Sequence, residues 1–179
     1  MRKINKIVIH RTQSDYGNKD FIRRIHVDQN GWSDIGYHYL IYSPYPTWDS
    51  FEHHKPDFNS DGKVVACRPV AEAGAHTIDF DQDMRVITNH NADSIGIALV
   101  GMDHFTGKQL ESLRTEVRRI RKQYGPIPVF GHDELLTVNP KGKVCPNIEM
   151  EHLRAFLNEP VRKPFIGPTR GKLLRTEVH

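Results

Sequence analysis

The apolar run at residues 94–101, Ser-Ile-Gly-Ile-Ala-Leu-Val-Gly, constrains the fold of this chain more than any other stretch. Branched apolar residues that are bounded by glycine are typical of a buried strand. We therefore predict that this strand lies centrally in the fold, with the other elements arranged around it.

Further strands and helices are predicted on both sides of that run. Branched and aromatic residues predict strands at 4–10, 36–42, 62–68 and 127–130. Apolar residues at helical spacing predict helices that start at Asn18, at Thr106 and at residue 148. This order indicates an α/β or α+β fold, in which a central mixed β-sheet is flanked by α-helices.

The segments between these elements are less regular. The alternation in residues 36–42 predicts that Tyr37 shares a strand face with Tyr39 and Ile41, and that His38 points the opposite way. The proline-containing residues 43–62 and the polar stretch from residue 78 to Asn91 are predicted to be loops.

Length and composition are those of one globular domain. The chain has 179 residues, of which 37% are hydrophobic and 26% charged, and its net charge is +3. These values argue against a disordered or membrane protein. The mildly basic net charge favours binding to an anionic polymer but does not identify which one. We predict a domain at residues 1–158, followed by a basic, proline-rich tail or extension at residues 159–179.

The sequence also indicates where the protein is made and whether its cysteines form disulfides. The apolar run after Lys6 is too short for a signal-peptide core, and no stretch is long enough to cross a bilayer. We therefore expect synthesis in the cytoplasm. With only Cys67 and Cys145 present, a disulfide framework is not expected, and a cysteine near a histidine is better interpreted as a ligand or nucleophile.

Three residues form a candidate metal site. His10 ends the first predicted strand, His132 follows the strand at 127–130, and Cys145 lies in a proline-bounded loop soon after. Two histidines and one cysteine can hold a catalytic zinc and leave its fourth position for water. The spacing is nonlocal, however, and the chain has 11 histidines, so each one taken alone is more often a surface or core residue.

Several motifs, in the same order along the chain, resemble one family. They are Ile-Val-Ile-His at residues 7–10, Gly-Tyr-His-Tyr-Leu-Ile at 36–41, Gly-Ala-His-Thr at 74–77, the stretch 91–101, Phe-Thr at 105–106 with Gln-Leu at 109–110, Gly-His at 131–132 and Lys-Val-Cys-Pro at 143–146. Together they resemble the zinc-dependent N-acetylmuramoyl-L-alanine amidases of the peptidoglycan-recognition and phage T7 lysozyme type. The resemblance covers residues 4–158 or so.

The resemblance implies a peptidoglycan-recognition/amidase-like fold and hydrolysis of the amide bond between N-acetylmuramic acid and L-alanine in peptidoglycan. It implies one Zn²⁺ per chain, held by His10, His132 and Cys145. Tyr37 and Lys143 are then the catalytic residues, because a phenol and an ammonium can stabilise the oxyanion of the tetrahedral intermediate.

Some of these assignments have competing interpretations. Lys141 competes with Lys143 for the same role, and strand position alone would make Tyr37 an interfacial residue. His76, with Thr77, either lines the substrate groove, as the resemblance implies, or stabilises a turn. Cys67 is interpreted as a small buried hydrophobic residue.

The sequence is compatible with two main functions. The first is a cell-wall amidase, for which we expect a monomeric phage-type endolysin that reaches the cell wall after release by other factors; a bacterial cytoplasmic or recycling enzyme fits the same activity. The alternative is a non-catalytic peptidoglycan-binding module. Such modules typically lose the cysteine ligand, whereas Cys145 is present here. A nucleic-acid partner is not expected, since the basic helix face around Arg118 has no accompanying pattern of stacking aromatic residues.

Overall fold

The computed structural model describes residues 2–139, 142 and 144–158. The strands are β1 (Lys6–Arg11), β2 (Tyr39–Ile41), β3 (Val64–Ala66), β4 (Asp79–Phe80), β5 (Val86–Thr88), β6 (Ser94–Leu99) and β7 (Val129–Gly131). The α-helices are α1 (Lys19–Arg24), α2 (Trp48–Glu52), α3 (Gly107–Tyr124) and α4 (Met150–Asn158). A π-helical turn at Ile25–Gln29 extends α1, and short 3-10 helices span His90–Ala92 and His132–Leu135.

The main sheet is mixed and has the strand order β3-β2-β6-β1-β7. Strands β2, β6, β1 and β7 run parallel, and β3 pairs antiparallel with β2 at the edge. Every residue of β6 is buried, which confirms the central position predicted from its apolar run. A mixed sheet with flanking helices is the predicted fold class.

The sheet separates two apolar clusters. On one side, residues of β1, β6 and β7 such as Ile9 and Ile97 pack with α3 and α4, including Leu113 and Leu153. On the other side, Ile22 of α1 packs with Leu40, Ala98 and their neighbours. Alternation along β1 directs Ile7 and Ile9 into the first cluster. His10, the next residue, therefore points to the α1 side.

Local signals place the starts of α1 and α3 at the predicted residues. The Asn18 side chain accepts a hydrogen bond from the Phe21 backbone N–H and caps α1. Thr106 and Gln109 form a capping box at the start of α3. That helix ends at Gly125, which has a φ of 88° that favours glycine.

Two predicted loops contain regular structure. Residues 43–62 include α2, whose start is held by a capping box between Thr47 and Ser50. The stretch before Asn91 includes the antiparallel pair β4 and β5. Both predictions were wrong because short elements with few buried residues leave little hydrophobic periodicity in the sequence.

The predicted face of Tyr37 was also wrong. Tyr39 and Ile41 pack against the α3 side of the sheet, whereas Tyr37 packs on the α1 side with Leu40. The reason is that β2 begins only at Tyr39, so the alternation of a strand does not extend back to Tyr37.

A bilayer-spanning helix does not occur among the described residues.

Candidate metal centre and active site

Two neighbouring parallel strands bring His10 and His132 together. In the pairing of β1 with β7, Ile9 lies opposite Gly131, so the next residue on each strand is a histidine at the same level. Their ring centroids are 4.7 Å apart. Because carboxyl ends of parallel strands meet at one edge of a sheet, the strand register itself builds this pair.

The loop that carries Cys145 is attached to the 3-10 helix that starts at His132. The Asp133 backbone N–H donates to the Cys145 carbonyl over 3.1 Å. The Cys145 thiol sulfur, which is buried, lies 3.9 Å from His10 Nδ1. A donor atom from each of His10, His132 and Cys145 lies within 4.8 Å of the other two.

The three donors fit a zinc ion in kind and in spacing. Zinc takes imidazole nitrogen at ~2.1 Å and thiolate sulfur at ~2.3 Å, so two donors on a tetrahedral ion are about 3.5 Å apart. The separation of 3.9 Å between His10 Nδ1 and Cys145 Sγ is close to that value. Two nitrogens and one sulfur are also the ligand types that favour zinc over calcium or magnesium.

The electrostatic setting of His10 suits a metal ligand. His10 is 2% exposed. Burial, followed by the neighbouring His132 and His76, holds the pKa of His10 well below its ordinary value. The imidazole is therefore neutral at physiological pH, and a neutral imidazole has a lone pair to offer a metal.

Tyr37 lies beside this cluster although it precedes β2. Its ring centroid is 5.1 Å from that of His10 and 5.2 Å from that of His26. The side chain is partly exposed, and desolvation of the phenol raises the pKa of Tyr37 above its ordinary value. The phenol is therefore protonated over the physiological range and is available as a hydrogen-bond donor.

The two candidate lysines, Lys141 and Lys143, lie outside the described residues, as does the predicted tail at 159–179. Their assignments stay predictions.

His76 and Thr77 lie directly behind His10. They are 8% and 2% exposed. His76 Nδ1 is 3.0 Å from His10 Nε2, and Thr77 Oγ1 is 3.0 Å from the same Nδ1 atom. The prediction that they line a substrate groove stays a prediction, and both are in contact with the candidate metal ligand His10.

Two residues that hold His76, Asn91 and Ser94, were not predicted as site residues. Asn91 Oδ1 accepts from the backbone N–H groups of His76, over 2.7 Å, and of Thr77, over 2.9 Å. Ser94 Oγ lies 3.4 Å from His76 Nε2. In the sequence, both residues lie in the stretch 91–101, which is one of the motifs shared with the family. The apolar residues of that stretch predict a strand and do not indicate a site.

The fold and the site together define a class. Two histidines and a cysteine converge at the carboxyl edge of a mixed sheet, next to a protonated tyrosine, and this arrangement is of the kind that can hold a catalytic zinc in a hydrolase.

Comparison with known proteins names the family. The sequence model of the N-acetylmuramoyl-L-alanine amidase family matches residues 1–148, most of the chain and all three candidate ligands. This chain therefore belongs to the N-acetylmuramoyl-L-alanine amidase family, and it is an enzyme that hydrolyses the amide bond between N-acetylmuramic acid and L-alanine in peptidoglycan.

Individual relatives agree with this assignment. The chain is 25% identical to the endolysin of Klebsiella phage KP32 over 162 residues, which cover 84% of this chain and 85% of the relative. It is 29% identical to the endolysin of Escherichia phage T7 over 138 residues, or 73% and 70% of the two chains. The structure of the N-acetylmuramoyl-L-alanine amidase LysC from Clostridium intestinale aligns with a TM-score of 0.64 at 26% identity, covering 89% of this chain and 88% of that one.

Proposed function

We propose that this chain is a zinc-dependent endolysin, with one Zn²⁺ held by His10, His132 and Cys145. The observation that carries the proposal is the convergence of these three donor atoms within 4.8 Å inside the family-matched region. The names of the phage relatives support the endolysin role. In that role the enzyme acts on the bacterial cell wall as a monomer, after other factors release it from the cytoplasm.

The residues of the site have distinct tasks in this proposal. When bound, zinc supplies a Lewis acid that polarises the scissile carbonyl and activates water near neutral pH. Tyr37 donates a hydrogen bond from its phenol to the carbonyl oxygen as that oxygen gains negative charge. Lys143 places an ammonium against the same charge. Cys145 would bind the zinc as a thiolate, because a metal lowers the pKa of a bound thiol, and the neutral His10 offers a nitrogen lone pair.

The test combines bond identification with metal analysis. Mass spectrometry of digested peptidoglycan should reveal stem peptides with a free L-alanine amino group and glycan strands without peptides. Purified protein should contain about one zinc per chain, and removing it with a chelator should abolish the release. Cleavage of a glycosidic or peptide bond, or full activity of a metal-free preparation, would contradict the proposal.

A substitution tests the ligand assignment. His132→Ala should lose both the zinc and the activity, since two remaining donors hold the ion weakly. The matched control is His152→Ala, which replaces an exposed histidine of α4 and should retain both. Binding to peptidoglycan without cleavage in the zinc-loaded wild type would instead favour the non-catalytic binding module.

The choice between the lysines is decided by a pair of variants. Lys143→Ala should retain zinc while turnover falls, and Lys141→Ala should behave like the wild type. The opposite pattern would assign the role to Lys141.

A further inference from the structure

The proposed metal ligand His10 has two ring nitrogens with different surroundings. Nδ1 faces the Cys145 sulfur at 3.9 Å, on the side where the candidate ligand atoms converge. Nε2 faces the opposite way, 3.0 Å from His76 Nδ1. A histidine that binds a metal through one nitrogen needs its proton on the other, and the partner of that other nitrogen decides which tautomer is present.

The hydrogen bonds beyond His76 determine the direction of this contact. Ser94 Oγ donates its proton to the His90 carbonyl over 2.6 Å. The same oxygen lies 3.4 Å from His76 Nε2, so it is left to accept a proton from that nitrogen. A neutral His76 with its proton on Nε2 has an acceptor at Nδ1, and His10 must then carry its own proton on Nε2.

Thr77 is compatible with the same proton arrangement. Its Oγ1 lies 3.0 Å from His76 Nδ1 and 3.5 Å from His10 Nε2. The hydroxyl can donate to His76 Nδ1 and accept from His10 Nε2. The contact of His10 Nε2 with His76 Nδ1, at 3.0 Å, is shorter than that with Thr77 Oγ1, at 3.5 Å, so His76 is the main acceptor of the His10 proton.

The chain shapes a slot for the His76 ring in this orientation. A Cβ atom added at Gly74 would lie 2.3 Å from His76 Cδ2, and one added at Gly96 would lie 2.6 Å from the same atom. The backbone N–H of His76 is held by Asn91 Oδ1. The space left by Gly74 and Gly96, together with the hydrogen bond from the His76 backbone to Asn91, places His76 Nδ1 within hydrogen-bond distance of His10.

We propose that His76 is a positioning residue, which accepts the Nε2 proton of His10 and so holds the tautomer whose Nδ1 can bind the metal. The inference rests on the proposed function, because it takes His10 to be a ligand of the proposed zinc. It assigns His76 a role behind His10, which differs from the groove-lining role that the family resemblance implies.

The first test measures metal affinity by competition with a chromogenic zinc chelator. His76→Ala removes the acceptor and should weaken zinc binding by roughly 10- to 100-fold. His76→Asn places an amide oxygen near the former Nδ1 position and should restore affinity to within a few-fold of wild type. The matched control is His38→Asn, because His38 is buried and its ring is 5.7 Å from that of His76, while its ring nitrogens contact Gly96, Glu72 and Arg2. It should leave zinc affinity unchanged.

The second test reads the tautomer directly in the full chain without metal. Nitrogen-15 NMR of the imidazoles should find His10 protonated at Nε2 in the wild type and a mixture of tautomers in His76→Ala. A His10 protonated at Nδ1 in the wild type would overturn the proposal, as would wild-type zinc affinity in a folded His76→Ala variant.

The two proposals fail in distinguishable ways. A wild-type chain that binds no zinc would refute the metal centre, while the tautomer of His10 in the metal-free chain would still decide the role of His76. If His76→Ala does not fold, the affinity of His76→Asn and the wild-type tautomer decide the matter, and an Asn variant that has lost zinc binding although its tautomer is unchanged would count against positioning.

Discussion

At the residue scale, neighbours in sequence have unrelated tasks. Tyr37 contacts the rings of His10 and His26 on the α1 side of the sheet. Tyr39, two residues later, lies on the α3 side, where its hydroxyl accepts a hydrogen bond from Arg119 over 2.8 Å. Because the alternation of side chains begins only with β2, Tyr37 lies beside the candidate site, whereas Tyr39 contacts α3 on the other side of the sheet.

This difference predicts the outcome of a pair of conservative substitutions. Tyr37→Phe removes the phenol donor and should lower kcat by about a hundredfold, the usual cost of losing one donor to a developing oxyanion. Zinc content should not change, because the ring remains. Turnover of purified peptidoglycan and metal analysis are the measurements.

Tyr39→Phe is the control for that experiment. It removes a hydroxyl of the same kind from a partly exposed contact with Arg119, so turnover should stay within about twofold of wild type. Full activity in Tyr37→Phe would exclude the phenol from catalysis, and equal losses in both variants would point to a general effect on the sheet.

At the element scale, capping boxes start both α2 and α3, but only α3 is joined to the core. Thr106 Oγ1 accepts from the Gln109 N–H over 3.1 Å and donates to Asp61 over 2.6 Å. The buried Gln109 amide in turn donates to the Val100 carbonyl over 2.8 Å, close to the end of β6. The five residues of α2 bury no side chain.

The contrast predicts different costs for the same substitution. Thr106→Ala should lower the free energy of unfolding by about 1 kcal/mol, since α3 unfolds with the core that it covers. Thr47→Ala removes the cap of α2 and should change it much less, because an exposed helix can unravel locally while the rest stays folded. Urea denaturation of both variants provides the measurement, and equal losses would contradict this account.

At the scale of the whole molecule, buried histidines make folding sensitive to acid. His26 and His38 are 7% and 0% exposed. Each accepts a backbone N–H at Nδ1, from Gly36 over 3.1 Å and from Gly96 over 3.0 Å. Burial lowers the pKa of His26 to about 4 and that of His38 to about 4.

The sign of the pH dependence follows from these shifts. A histidine in the unfolded chain has a pKa near 6.5. As pH falls from about 6.5 to about 4, the two histidines are therefore protonated in the unfolded chain but stay neutral in the folded chain. Stability is therefore complete above about pH 6.5 and decreases through that window. A shift of this size corresponds to at most roughly 3 kcal/mol for each group.

Urea denaturation at pH 7 and at pH 5, with a chelator present to exclude effects of metal release, measures this loss. His38→Asn keeps an acceptor for the Gly96 N–H and should reduce the difference between the two pH values. His53→Asn, at a half-exposed site on the 43–62 segment, should leave the difference as in wild type. An unchanged difference in His38→Asn would mean that His38 is not the group that takes up the proton.

Local pattern was sufficient for much of the fold. The burial of β6 and the caps at Asn18 and Thr106 were predicted from short stretches, because each depends on residues close together in the chain. The elements that were missed, α2 and the β4–β5 pair, are short and expose most of their residues, so they leave no periodic apolar signal.

The sequence by itself determined which residue types are present for chemistry: two histidines and a cysteine in a family pattern, a tyrosine beside them, and a lysine two residues before the cysteine. Only the tertiary structure decided that His132 stands level with His10 across two parallel strands, and that His76 lies behind His10. Strand register and the glycine slot join residues far apart in the chain, and the direction of a ring nitrogen depends on that packing. For this reason no spacing along the sequence could have assigned it.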